Sequence, residues 1–202
     1  PIDSFRGQLS ALRNALQDKS GERPDVLVAH LSFDSMGLLS GIRLTPIEIK
    51  ARSGTISPSE RGKYLTQASY FSTFLGRLRD KSETSRLWGA AWRDLLVRLV
   101  DYGFRVYSQG GDFGVESGWL KAHQQALQSI CSGFTNIEID SSGRLIVIDA
   151  TPNSSAKDDD SDDFRETMVL SRKDALALLG DNPPEWIEDA AESISMWRVE
   201  LQ

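Results

Sequence analysis

Cysteine is almost absent from this chain. A single thiol, Cys131, in 202 residues excludes an intrachain disulfide framework and a cysteine cage for a metal. Histidine is nearly as scarce: His30 and His123 are the only two, too few for a His-rich catalytic zinc site. No apolar run approaches the ~18–20 residues that a membrane-spanning helix needs. The opening Pro1-Ile2-Asp3-Ser4 has no basic stretch leading into an apolar one, so no signal peptide is expected, and the missing initiator Met suggests a piece of a longer chain. A reducing cytoplasm is the default compartment for such a protein. No Gly-Lys-Ser/Thr follows Gly110-Gly111, which therefore reads as a loop and not as a phosphate cradle. No internal repeat is present.

What remains is the composition of an ordinary folded chain, 40% hydrophobic and 26% charged, long enough to bury a core without covalent help. The length suits one domain or a domain with an appendage. The net charge of −6 speaks at first against nucleic acid, but it is unevenly spread. Residues 43–105 hold 12 Lys/Arg against 6 Asp/Glu, whereas residues 106–202 hold 7 against 18. A local field, not the net charge, attracts phosphates, so the basic segment is the expected nucleic-acid face. A chance fluctuation on solvated helices is the alternative.

Hydrophobic periodicity gives a mixed α/β order. A helix is expected over 4–18 (Phe5, Leu9, Leu12, Leu16; Ser4 or Asp3 as cap), then strands over 25–33 and 41–52, with Pro46 at an edge or a bulge. Ser57-Pro58-Ser59-Glu60 is a helix start with a capping box and proline at the first helical position. That helix should run to about Lys81 behind a stripe of Tyr64, Ala68, Phe71 and Leu75. A helix over 83–102 carries Trp88 and Trp92, better read as core packing than as base-stacking platforms. Then come a short strand over 104–108, a helix over 116–131, and a hairpin of 134–140 and 144–150 around Ser141-Ser142-Gly143. Residues 152–165 are acidic and poor in apolar groups, a loop. A strand over 166–170 and helices over 171–179 (capped by Ser171) and 184–198 close the chain. The expected division is a core of residues 1–110 and a C-terminal α/β extension, 111–202.

Chemistry concentrates at Pro46-Ile47-Glu48-Ile49-Lys50. Strand alternation puts Glu48 and Lys50 on one face and the two isoleucines on the other. Opposite charges between apolar neighbours are costly to bury without a purpose. Asp25 opens the preceding strand, and pairing the two strands as a hairpin brings it to Glu48 and Lys50. Two carboxylates with a backbone carbonyl, here that of Ile49, suit Mg²⁺, with Mn²⁺ as a substitute. Such an ion neutralises phosphate charge and yields a nucleophilic hydroxide, and the lysine orients the water or stabilises transition-state charge. The alternative is a Glu48–Lys50 surface ion pair on an edge strand, worth ~0–1 kcal/mol.

Pro24-Asp25 followed by Glu48-x-Lys50 resembles the motif of the PD-(D/E)XK nuclease superfamily, over roughly residues 4–80. Gln67-Ala68-Ser69-Tyr70, on the helix after the motif, is similar to the QxxY signature of RecB-like members. The resemblance implies a restriction-endonuclease-like mixed sheet flanked by helices and an Mg²⁺-dependent deoxyribonuclease. It implies Asp25, Glu48, Lys50 and Gln67 as catalytic residues, Asp25, Glu48 and the Ile49 carbonyl as metal ligands, and Arg52, Arg61, Lys63 and Tyr70 near DNA. It departs from many members in having no acidic residue within 4–17, leaving only Asp3 nearby. More narrowly, the hairpin, the EIKAR segment and the Gln-bearing helix are similar to nuclease modules joined to ATPases in bacterial anti-phage restriction systems. This implies an ATPase or helicase as partner or as neighbouring domain.

Other residues carry weaker expectations. Asp34 falls in the turn, too far along the hairpin for the site. Asp149 reads as a turn cap, His30 as a satisfied core or edge histidine, His123 as solvated, and Cys131 as a small buried hydrophobe. The run Asp158–Asp163 reads as a solvated loop. Two further functions stand beside the nuclease: an inactive nuclease-like module that binds DNA or a partner protein, and an interaction domain whose acidic half binds a basic partner.

Overall fold

The computed structural model describes residues 2–20, 23–54, 56–110, 118–133, 135–141, 143–150 and 167–177. A single 3₁₀ turn at Ile2–Phe5 leads into helix α1 (Arg6–Ala15) without a side-chain cap, so neither Ser4 nor Asp3 has the expected capping role. Strands β1 (Val26–Phe33) and β2 (Leu39–Arg52) follow, then helices α2 (Pro58–Thr84), α3 (Arg86–Gly110) and α4 (Trp119–Ser132). Strands β3 (Asn136–Ile139), β4 (Arg144–Asp149) and β5 (Thr167–Ser171) and the short helix α5 (Arg172–Ala177) complete the described elements. The protein is a mixed α/β fold with an open five-stranded sheet, order β1-β2-β4-β5, with β3 also on β2.

β1 and β2 form the expected antiparallel hairpin, Val26 opposite Ile47 and Leu31 opposite Ile42. Asp34 accepts from the amides of Met36 (2.9 Å) and Leu38 (2.8 Å) and so closes the turn between them. The core lies on one face of this hairpin. Ile42 and Leu44 of β2 pack with Phe71, Phe74, Leu75 and Leu78 of α2 and with Trp92, Leu95 and Leu96 of α3. The aromatic pair expected in the core is there: Trp92 is buried and Trp88 packs against the cluster.

Two expectations fail for physical reasons. Residues 104–108 are not a strand, because the stripe Leu96, Val100, Phe104 continues at i+4 with all three buried, and burial of one helical face outweighs local β-propensity. Nor are 134–140 and 144–150 a hairpin. The chain does not reverse at Ser141-Ser142-Gly143. Instead β3 runs parallel to Gly41–Leu44 of β2, and β4 then runs parallel to Ile47–Arg52 of the same strand.

The connection between them is a bulge. Ile139 pairs with Leu44 and Arg144 with Ile47, so the register against β2 shifts by two positions between the two ladders. Pro46 therefore lies on a central strand, not at an edge, at the point where β2 changes neighbour and a missing N–H is tolerated. The Asp140 N–H donates to the Leu44 carbonyl (2.9 Å), and a buried Arg144–Asp140 ion pair of 2.9 Å closes the bulge.

Two smaller corrections concern α4. Cys131 is exposed, because Ala126 and Ile130 carry the buried face of that helix. His123 is not solvated: its ring stacks on Phe104 at 4.5 Å, and its Nε2 lies 3.2 Å from Asp101 Oδ1. The acidic segment 152–165, the helix over 184–198 and Gly111 lie outside the described residues.

Candidate active site

Glu48 and Lys50 occupy the same face of β2 as Ile42 and Leu44, the face covered by α2. They extend the core stripe with charge where apolar residues would otherwise stand. One step beyond Val26–Ile47 in the hairpin register sets Asp25 opposite Glu48. The three side chains converge as the spacing predicts. The Lys50 ammonium donates to Glu48 Oε1 and lies 3.7 Å from Asp25 Oδ2. Asp25 Oδ2 also accepts the Ile49 N–H at 2.8 Å. In an extended strand a residue's N–H and C=O face the same side, so the Ile49 carbonyl opens on the Asp25 side of β2.

The three groups differ in access. Glu48 is buried at 4% exposure, the Lys50 side chain is 30% exposed and that of Asp25 is 48%. The centre is therefore deep at Glu48 and open at Asp25. Burial opposes the charge on Lys50, but the hydrogen bond and charge of Glu48, with the charge of Asp25, outweigh it and hold its pKa above the usual lysine value. Glu48 thus faces a persistent ammonium.

Helix α2 closes the centre from above. The Lys50 ammonium lies 5.3 Å from the centroid of the Tyr64 ring, within cation–π range. Tyr64 was legible only as the first member of an apolar stripe; its true neighbour is a charge. Gln67 follows one turn later with its amide oxygen buried, and Tyr70 is 47% exposed. Gly143 of the bulge, at φ +68°, presses on Ala68: a Cβ there would stand 2.5 Å from the Ala68 Cβ and 3.0 Å from its carbonyl carbon. The bulge and the helix meet beside Gln67.

Of the cations expected near DNA, Arg52 and Arg61 also have partners within the chain. Arg52 pairs with Glu60 at 3.0 Å, tying the end of β2 to the first turn of α2. Arg61 donates to Thr167 Oγ1 at 3.0 Å, tying α2 to β5. Both hold the frame of the site together, and of the two helix cations named for phosphate, Lys63 is the exposed one. Asp149, at the end of β4, accepts the Gly54 N–H just beyond β2 at 3.2 Å. His30 is half-buried on β1, opposite Arg43.

A groove of about 570 Å³ runs between β1 and α3, lined by Phe5, Val28, Leu31, Phe33 and Phe104 among others. It is apolar and holds none of the three charged groups, so the chemistry sits outside it. Among the described residues no three His, Cys, Asp or Glu side chains gather at one point, and no helix is long and apolar enough to cross a membrane. No family model, curated protein or solved structure matches the chain.

Proposed function

We propose that the chain is a metal-dependent phosphodiesterase that cuts DNA, a PD-(D/E)XK-like nuclease module with a restriction-endonuclease-like sheet, working in restriction, defence or repair. The observation that carries this reading is the convergence of Asp25, Glu48 and Lys50. Two carboxylates, one on β2 and one just before β1, meet one ammonium at the mouth of a buried acidic position. That ammonium stands where positive charge is favoured by both carboxylates. Mg²⁺ needs few protein ligands, since it keeps several waters and takes oxygen from substrate phosphate. Asp25, Glu48 and the Ile49 carbonyl fit it and would hold it. When bound, the ion supplies neutralisation of phosphate charge and a more acidic water.

The remaining chemistry belongs to the chain's own groups. Lys50, kept charged by Glu48, stabilises negative charge growing on phosphate oxygens and orients the attacking water. Asp25, the most exposed of the three, meets incoming substrate first, and its bond to the Ile49 N–H holds its carboxylate in place. Gln67 lies next to the bulge contact and acts as a positioning group. Lys63 and Tyr70 are the exposed candidates for phosphate and base contact on α2. An ATPase or helicase, as a partner or a neighbouring domain, would supply the substrate.

A second reading has one observation in its favour. Every charged group of the trio has a partner within the trio or on the backbone, as in a structural ion-pair cluster. On that reading the module binds DNA or a protein without cutting. Incubation with plasmid and linear DNA in Mg²⁺, Mn²⁺ or EDTA separates the two. Cleavage that needs the ion and is lost in Lys50→Ala supports the enzyme. Metal-independent cutting, or equal cutting by both proteins, shows a contaminant and removes the support.

A further inference from the structure

We infer that Tyr64 is a positioning residue that holds the Lys50 side chain against the two carboxylates, an inference that rests on the nuclease reading for its catalytic consequence but on geometry alone for the contact. A lysine has four rotatable side-chain bonds, and a lysine side chain that is 30% exposed is free to swing its ammonium toward water unless something covers it. Glu48 and Asp25 attract it from the sheet side. Tyr64 lies on its other side, with its ring centroid 5.3 Å from Nζ, and screens it from solvent while the ring face attracts the charge. The lysine is thereby held between the carboxylates and the aromatic ring.

The height of α2 above the sheet makes this contact possible. Ala68, one turn beyond Tyr64 on the same face, is touched by Gly143, where any side chain would clash. At this contact the helix leaves no room for a side chain at position 143. The capping box at Ser57 and Glu60 and the Arg52–Glu60 pair anchor its start at the end of β2. Tyr64 lies between these two fixed points, so its ring has little freedom to leave Lys50.

The test compares Tyr64→Leu, which removes the ring but keeps an apolar side chain, with Tyr64→Phe, which keeps the ring. Proton–carbon NMR of the Lys50 ε-methylene, assigned by its disappearance in Lys50→Met, reads the contact without reference to catalysis. The wild type should show this signal shifted upfield from those of exposed lysines by the ring current. The shift should vanish in Tyr64→Leu and persist in Tyr64→Phe. No upfield shift in the wild type, or one that survives Tyr64→Leu, overturns the inference; the wild-type signal decides it even if the leucine variant fails to fold. In cleavage of linear DNA, Tyr64→Leu should lower kcat on the order of 10-fold, because a small displacement of a reacting group is costly, with KM changed less than about twofold. Tyr64→Phe should recover most of that loss. A change confined to KM overturns the positioning role. A wild type that cuts no DNA removes the nuclease reading, while the ring-current shift still decides whether Tyr64 holds Lys50.

Discussion

Asp25 Oδ2 accepts the backbone N–H of Ile49 at 2.8 Å, so one carboxylate both ends the β1–β2 ladder and faces the candidate centre. These two duties separate by substitution. Asp25→Asn keeps an oxygen acceptor and should leave stability within about 0.5 kcal/mol of wild type, yet abolish Mg²⁺-dependent cleavage, because a neutral amide is a poor ligand for a hard cation. Asp25→Ala should lose cleavage and also about 1 kcal/mol, the usual net worth of one such bond. Urea unfolding beside a plasmid-nicking assay reads both, and full cleavage by Asp25→Asn would remove Asp25 from the metal set.

Glu48 and Lys50 are coupled, and the sign of the coupling is predictable. Lys50→Ala leaves a carboxylate at 4% exposure without its ammonium, and should cost about 1–3 kcal/mol as well as cleavage. Neutralising the carboxylate too, as Glu48→Gln with Lys50→Ala, should return part of the stability and none of the activity. A double-mutant cycle in urea should therefore show the double variant losing less stability than the two single losses added together. Additive losses would show that the pair is not coupled and would weaken the case for a purposeful buried charge.

Strand alternation made this trio legible, since period two fixes which residues share a face, and the hairpin turn at Asp34 fixes the register that brings Asp25 to Glu48. The capping box was legible for the same local reason. The rest depended on pairing at long range. The sequence around Ser141-Ser142-Gly143 carries a turn signal, and nothing local says that the chain bulges there and continues alongside β2. Because that bulge was invisible, so was the contact of Gly143 with Ala68. The role of Tyr64 is hidden in a related way: periodicity shows which helix face turns inward, not whether an isoleucine or a lysine waits beneath it. Arg61 illustrates the converse: nothing in its local sequence shows that it also reaches Thr167 Oγ1 on β5.

DNA affinity should therefore respond to Lys63 and not simply to basic charge. Lys63→Ala should weaken binding to duplex DNA modestly and reduce the slope of log affinity against log salt by about 1, since each lost phosphate contact releases one counterion fewer. Stability should be unchanged within about 0.5 kcal/mol, because Lys63 is exposed on the helix. Arg61→Ala is the contrasting variant. Its bond to Thr167 Oγ1 predicts lost stability at the α2–β5 junction. A salt slope unaffected by Lys63→Ala would move the DNA face away from the first turns of α2.

Acid should loosen the site from the start of α2. The Glu60 carboxylate accepts from the Ser57 hydroxyl (2.7 Å) and the Ser57 N–H (3.1 Å) and pairs with Arg52. Together these lower its pKa from 4.5 to about 2. A depressed carboxylate favours the fold above its unfolded value and ceases to do so as pH falls through its folded value. The contribution is thus complete above pH 4.5 and is lost progressively down to about pH 2. Protonation frees Arg52 and weakens the capping box, so the first turn of α2 should fray before the core beneath Phe71 does. Amide exchange should show Arg61, whose N–H donates to the Ser57 carbonyl at 3.0 Å, losing protection across that window while the middle of α2 keeps it. Glu60→Gln retains a side-chain acceptor for the box but has no charge to titrate, so its exchange at Arg61 should start higher and stay flat with pH. Equal acid sensitivity in the wild type and Glu60→Gln would place the fraying elsewhere, and would show that the Arg52–Glu60 pair does not anchor the helix that carries Tyr64.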